Sequence, residues 1–298
     1  MTLNQMYYVV TIAGSKSMTE AAGKLFLSQP SLTASIHELE KELNIKIFNR
    51  TNKGITLTSE GEEFLSYARQ MLESQDLIRE RYLGVQKGKK KFCVSSQHYS
   101  FAVEAFVDLL KNEDFDEYEF HMRETQTYEI IEDVALLRSD IGVLYLNPFN
   151  RETLMREINV HDLEFTPLFE VKPHVFISDK NPLSNKNKVT LDDLAPYPRL
   201  SYEQGEHNAF FFFEEIQSTL DRKKDVVVTD RATLFNLIIG LNGYTICSGV
   251  INTDLNGKNI VARPLEVDDY MEIGYVIHKH VKQRELTKKY IDALKQKK

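Results

Sequence analysis

Apolar positions in the first ninety residues follow helical spacing, broken once by a stretch of alternation. Leu3, Met6, Tyr7 and Val10 predict an amphipathic helix over 3–13, ended at Gly14. Ser17-Met18-Thr19-Glu20 reads as a capping box, in which the serine accepts from an orphan amide and the glutamate reaches back to the cap. Ala21, Ala22 and Leu25 form the inner face of a short second helix, whose small alanines admit a close neighbour. After a turn at Leu27 and Ser28, Pro30 sits in the first turn of a third helix, where its missing N–H does no harm. The buried stripe there is Leu32, Ile36, Leu39 and Leu43, so Gln29, Ser31, Thr33, Ala34, Ser35, His37 and Glu38 face outward or flank it.

The period then changes. Ile45–Arg50 and Ile55–Thr58 alternate around an Asn/Gly turn and predict a β-hairpin with Arg50 and Lys53 at its tip. Three helices followed by a hairpin describe a winged helix-turn-helix. The short polar side chains of the third helix suit base edges in a major groove, and the basic tip suits phosphates or the minor groove. Taken alone, the third helix reads equally as a solvated face.

Ser59-Glu60-Gly61-Glu62 can cap a fourth helix. Phe64, Ala68, Met71, Gln75, Ile78, Tyr82 and Val85 follow at four and three residues, a heptad seam with one polar member. A helix over 59–86 would be about 42 Å long and needs a partner for that seam. Dimerisation through Phe64, Ala68, Met71, Ile78 and Tyr82 is the expectation, because a two-fold dimer suits a palindromic operator. Packing against the chain's own body is the alternative. Gly84 to Lys91 reads as a hinge.

Beyond the hinge, strands alternate with helices. Phe92–Ser95, Tyr118–Arg123 and Asp140–Tyr145 read as strands, separated by helices carrying Phe101–Leu110 and Ile130–Leu137. This β-α-β-α-β order implies a parallel sheet. A second lobe is expected from Glu164. It has strands at 165–169, 173–178, 199–202, 225–228 and 243–247, and helices at 207–220 and 232–240. Residues 273–277 and a helix at 282–295 are expected to return to the first lobe. The domains so defined are 1–58, 59–90 and 91–298, with lobe 1 at 91–163 and 268–298 and lobe 2 at 164–267.

Composition narrows the class. The 298 residues suit two or three domains, and 42% hydrophobic with 27% charged is ordinary for a globular chain. No apolar run reaches the roughly 18 residues of a membrane span, and the N-terminus lacks a signal-peptide pattern. Cys93 and Cys247 are the only cysteines and show no metal spacing, which fits a reducing cytoplasm. Net charge is −7. Residues 1–90 hold 12 basic and 10 acidic side chains, or +2, leaving −9 for the rest. The sign suits DNA binding through a few local phosphate contacts. Neither a G-x-S-x-G elbow, a phosphate loop nor H-E-x-x-H occurs, which argues against an enzyme.

The block Ala21-Ala22, Leu25, Ser28-Gln29-Pro30-Ser31-Leu32, Ile36, Leu39-Glu40, Leu43, Ile47-Phe48-Asn49-Arg50, Leu57-Thr58, Gly61 resembles the N-terminal signature of LysR-type transcriptional regulators. Asp140-Ile141-Gly142, Pro182-Leu183, Leu191 to Leu194 and Gly240 to Tyr244 resemble that family's effector domain in their order. The resemblance implies an α+β multidomain chain: a winged helix-turn-helix, a linker helix, and a two-lobed α/β domain like periplasmic binding proteins. It implies a homodimer or homotetramer that binds double-stranded DNA and a small-molecule effector, needs no cofactor and stays off the membrane. DNA reading carries over to Ser28, Gln29, Pro30, Ser31, Thr33 and Ser35, and anchoring to Arg50 and Lys53. Ala34, His37 and Glu38 stand where family members often carry arginines, which shifts weight to the wing.

Ligands of parallel sheets bind beyond the carboxyl ends of strands. The effector positions implied are Ser95, Ser96, Gln97 and His98 after the first strand, Thr125 and Gln126 after the second, and Ser201, Tyr202, Ser248 and Gly249 in the second lobe. Hydroxyls beside a helix N-terminus favour an anionic metabolite; ordinary N-capping is the alternative reading. His98 is expected to form hydrogen bonds and Cys247 to be a small core residue. The run Phe210–Phe213 is expected to be core. A solute-binding or enzymatic α/β domain fused to a DNA-binding module remains the competing reading.

Overall fold

The computed structural model describes residues 1–51, 54–83, 90–113, 117–207, 209–251 and 257–297. The chain divides into two compact units, Met1–Gly88 and Lys89–Lys298.

The first unit runs α1 (Leu3–Ala13), α2 (Met18–Lys24), α3 (Gln29–Leu43), β1 (Phe48–Thr51), β2 (Gly54–Leu57) and α4 (Ser59–Leu83). Val9, Ile12, Ala21, Ala22, Leu32, Ile36, Leu39 and Ile47 form its core, so the helical stripes read from the sequence meet in one place. The capping box at Ser17 is half formed. Ser17 Oγ accepts from the Glu20 amide, but Glu20 accepts from the Lys16 amide rather than from the cap. β1 and β2 pair antiparallel, with Arg50 opposite Ile55. Thr58, one residue ahead of the expected cap, accepts the Gly61 amide and starts α4. Gly61 admits no side chain, since a Cβ there would lie 2.1 Å from the Ile47 carbonyl oxygen. This close approach ties α4 to the base of the wing.

The second unit has two five-stranded sheets. Its first lobe contains β3 (Lys90–Ser96), α5 (Ser100–Lys111), β4 (Tyr118–Glu124), α6 (Thr127–Ala135), β5 (Ile141–Leu146), α7 (Arg151–Val160) and β6 (Leu163–Val171). The second contains β7 (His174–Ser178), α8 (Leu191–Leu194), β8 (Arg199–Tyr202), β9 (Asp225–Val228), α9 (Arg231–Leu241), β10 (Tyr244–Cys247) and β11 (Ile260–Pro264). β12 (Met271–His278) and α10 (Glu285–Lys295) complete the chain. The sheet orders are β4-β3-β5-β12-β6 and β11-β7-β10-β8-β9. β3 is parallel to β4 and β5, and β12 is antiparallel to β5 and β6. In the second sheet β8 is parallel to β9 and β10. The C-terminal elements return to the first lobe as expected: Tyr290 Oη donates to the Ala102 carbonyl on α5 at 2.9 Å.

Four expectations change. The second lobe begins after Val171, not at Glu164, because β6 pairs with β12 over its whole length. Lys90 and Lys91 belong to β3 rather than to a hinge, whose remaining residues, 84–89, lie outside the described ones. No α-helix forms over the described part of 207–220; a single 3-10 turn covers Phe210–Phe212. Within this segment the adjacent pair Glu214 and Glu215 are both buried, and each accepts a different strand-end amide. Phe212 alone of the phenylalanine run is buried, while Phe211 stacks on Phe149 at the surface, 4.8 Å between centroids.

Candidate functional site

The first unit presents the face predicted to read DNA. Gln29, Pro30 and Ser31 are exposed, and Thr33 and Ser35 are half-buried. Ser28 caps α3: its Oγ accepts the Ser31 amide at 3.2 Å and lies 2.7 Å from Ser31 Oγ. Ser28 is thus held by the helix end, and Ser31 shares its hydroxyl with it. Phe26, not singled out from the sequence, is 96% exposed in the turn before α3 with φ of 54°, a left-handed conformation that is costly for a bulky residue. Lys53 and the side chains of Arg50 and Tyr82 lie outside the described residues.

Glu40 positions the wing. It is buried at the end of α3, and one carboxylate oxygen accepts the Ile47 and Phe48 amides at 2.9 and 3.2 Å. The other accepts from Lys46 Nζ at 3.0 Å. Burial alone would raise its pKa, but Lys46 and the two amides outweigh burial and hold the carboxyl below its ordinary range. The seam of α4 is not uniform. Leu65 and Ala68 are buried and Phe64 packs on the unit's own core, because α1 lies along this half of the helix. Met71 and Ile78 remain 47% and 59% exposed. The predicted dimer seam therefore loses Phe64 and Ala68.

In the second unit a cleft opens between the lobes, lined by His98, Tyr99 and Ser100 from the first and by Phe176, Tyr202, Arg231, Phe235 and β10 from the second. Together with its open mouth it encloses about 460 Å³ of space. His98, Tyr202 and Ser248 reach it as predicted. His98 Nδ1 lies 2.9 Å from Glu214 Oε1, its amide donates to Glu214 Oε2 at 2.8 Å, and its ring stacks on Tyr202 at 3.7 Å. Glu124 and Arg231 form a second bridge between the lobes at 3.0 Å.

The other predicted effector residues serve the scaffold. Ser95 Oγ donates to Asp133 at 2.7 Å, within a network closed by Arg123 and Arg138. Ser96 donates to the Gln97 carbonyl, and Gln97 ties Thr127, Tyr99 and the Tyr145 amide together inside the first lobe. Thr125 donates to Glu129. Gln126 fills the space where a Gly205 side chain would be, and Ser201 is buried in β8. Gly249 turns at φ of 79° with the His174 ring where a Cβ would lie. Strand-end hydroxyls are drawn first into hydrogen bonds with neighbouring backbone and carboxylates, so their residue type did not distinguish ligand from scaffold.

Sequence reasoning missed Glu214, Glu215, Arg231 and Thr245, all of which line the cleft. The available signal was a pair of carboxylates inside the apolar run Phe210–Ile216. Glu215 is 3% exposed, and its Oε1 accepts the Tyr202 amide at 3.0 Å. Glu215 Oε2, Arg231 Nη1 and Thr245 Oγ1 are buried without a hydrogen-bond partner among the described residues, a condition that costs about 1–3 kcal/mol for each group. Burial, reinforced by Glu214, raises the Glu215 pKa well above the carboxylate range. Burial lowers the His98 pKa, yet Glu214, by charge and hydrogen bond, turns the net shift upward. Burial raises both cysteine thiols, Cys93 and Cys247, the reverse of what activates a sensor thiolate.

A wing beside a polar recognition helix, joined in one chain to a two-lobed ligand-binding fold, defines a ligand-responsive transcription regulator. Residues 3–62 match the bacterial regulatory helix-turn-helix protein, lysR family, and residues 112–298 match the LysR substrate binding domain. The chain belongs to the LysR family of transcription regulators. It is 28% identical over 244 residues to the uncharacterized HTH-type transcriptional regulator YnfL of Escherichia coli, covering 80% of this chain and 78% of that one. It is 23% identical over 268 residues to the HTH-type transcriptional regulator CysL of Bacillus subtilis, covering 86% and 85%. A full-length OxyR variant of Pseudomonas aeruginosa shares the fold with a TM-score of 0.68 at 20% identity, covering 100% of this chain and 99% of that one. The LysR family regulator CbnR shares it at 0.55 and 16% identity, covering 100% and 99%. Among the described residues no helix is long and apolar enough to cross a membrane.

Proposed function

We propose that this regulator reads operator DNA through Gln29, Pro30, Ser31, Thr33 and Ser35 on α3, anchors itself through Arg50 and Lys53 on the wing, and responds to a small molecule held between the lobes of its second unit. Ser28 contributes by capping α3, and Phe26 adds an exposed aromatic side chain at the edge of the reading face. The cleft carries this reading: three buried polar groups without partners surround a cavity whose walls come from both lobes. A scaffold cavity would have satisfied or excluded such groups. Domains at 1–58, 59–90 and 91–298 fit this division, with Lys90 and Lys91 in β3 and the lobes exchanging after Val171.

The outer half of α4, with Met71 and Ile78 exposed, supports a homodimer that presents two reading heads to a two-fold operator. Pairing of such dimers makes a tetramer. The protein acts in the cytoplasm by binding, without turnover of its ligand. Effector binding and operator binding must then be reciprocally coupled. Operator affinity and footprint, measured with and without a cleft ligand, test this; a saturating ligand that changes neither contradicts it. Arg50→Ala is expected to weaken binding across all sequences, whereas changes at Ser31 alter which sites are selected from a random pool.

A further inference from the structure

We propose that the interlobe cleft takes a zwitterionic amino acid with an apolar side chain, its carboxylate on Arg231 and its ammonium between Glu215 and Thr245. This rests on the reading of the cleft as the effector site and replaces the simple anion expected from the sequence. Arg231 Nη2 is engaged by Glu124 at 3.0 Å, while Nη1 is buried and offers a cationic donor with no acceptor. A ligand carboxylate supplies that acceptor in a charge-assisted bond.

The remaining bare atoms have the opposite character. Glu215 Oε2 and Thr245 Oγ1 are oxygens that can accept from an ammonium, on residues only 3% and 4% exposed. Glu214, the next carboxylate, is already held by His98 and by Gln204 Nε2 at 3.5 Å. A plain anion leaves Glu215 as the neutral acid, whereas an ammonium adds to the counter-charge of Arg199 and lets it ionise. Burial and Glu214 favour the neutral acid at Glu215. An arriving cation reverses that preference. Phe176 and Phe235, packed edge to face at 6.1 Å, with Ile246 and Val250, leave an apolar surface for the side chain. Both poles and the apolar wall are needed together, and an α-amino acid carries all three within a small volume.

Calorimetric titration of the full chain tests the assignment. The probes are L-valine, L-leucine, L-methionine and L-phenylalanine, each paired with the 2-oxo acid that lacks its ammonium group. At least one amino acid is expected to bind about tenfold or more tighter than its 2-oxo acid, the difference made by one hydrogen bond to a charged group. The isosteric Glu215→Gln is expected to remove that preference, and Thr245→Val to reduce it. Equal or tighter binding of the 2-oxo acids overturns the ligand class and leaves the effector site standing. So does binding of the amino acids that Glu215→Gln leaves unchanged. Absence of binding by all four also overturns it. A panel of mono- and dicarboxylates, sugars and nucleosides in the same titration then decides whether the cleft binds anything. Retention of the wild-type melting curve by Glu215→Gln separates lost binding from lost folding.

Discussion

Glu40 and Glu215 are both buried carboxylates, one in each unit, and they are treated in opposite ways. Each Glu40 oxygen has a partner: the Ile47 and Phe48 amides on one, Lys46 on the other. Glu215 has one oxygen on the Tyr202 amide and one with no hydrogen-bond partner among the described residues. Burial raises the pKa in both cases, but only at Glu40 do the partners outweigh it. Glu40 is therefore part of a finished scaffold that fixes the wing against the recognition helix. Glu215 belongs to a site that a ligand completes. Buried polar groups in a native fold are nearly always satisfied, so an unsatisfied one lining a cavity carries functional information.

The contrast between the two carboxylate sites predicts three effects. The largest effect is expected at Glu214, whose carboxylate and His98 side chain are 5% and 4% exposed. Glu214→Ala leaves the His98 ring and amide without their acceptor, and is expected to cost the second unit about 3–5 kcal/mol in denaturant unfolding. A loss under about 1 kcal/mol would mean the two lobes are held by other contacts. Glu40→Ala comes next. It strands two buried amides in the first unit, with an expected loss of about 1–3 kcal/mol. Faster hydrogen exchange at the Ile47 and Phe48 amides and weaker operator binding should accompany it, with ligand binding in the second unit unchanged.

The third effect is a slope rather than a step. The His98 pKa lies above its ordinary value of 6.5, so its pairing with Glu214 contributes fully below that pH and is lost as pH rises through the folded-state value. Glu215, also shifted upward, adds a loss in the same direction from lower pH, and His278, shifted downward by burial and His280, acts in the opposite direction. The His98 part is isolated by comparison with His98→Gln. Stability of the wild type relative to this variant should fall as pH rises above 6.5; a flat difference contradicts the pairing.

The reading head was legible in the sequence because its information is local. Helical stripes at Leu32, Ile36 and Leu39, a proline at the head of α3 and an alternating hairpin each specify one element and one face. The order of strands and helices in the second unit was legible for the same reason. The cleft was not. Ser95, Ser96 and Thr125 have the residue types of a ligand site, yet Asp133, tens of residues away, absorbed Ser95, and neighbours within four residues absorbed the other two. Glu215 and Arg231 stand sixteen positions apart and meet only because the second sheet brings the Phe210–Leu220 segment and α9 to one wall. The half-buried seam of α4 failed on similar grounds: a heptad pattern records which positions want cover, not whether α1 or another copy supplies it.

The central claim is that the polar groups around Glu215 await a ligand while those around Glu40 do not. Amide hydrogen exchange of the full chain, with and without saturating L-leucine or L-phenylalanine, tests it most directly. New protection is expected in the segments carrying Glu215, Arg231 and Thr245, and it should disappear in Glu215→Gln. Exchange in those segments that the amino acids leave unchanged, or protection that survives Glu215→Gln, would contradict the account.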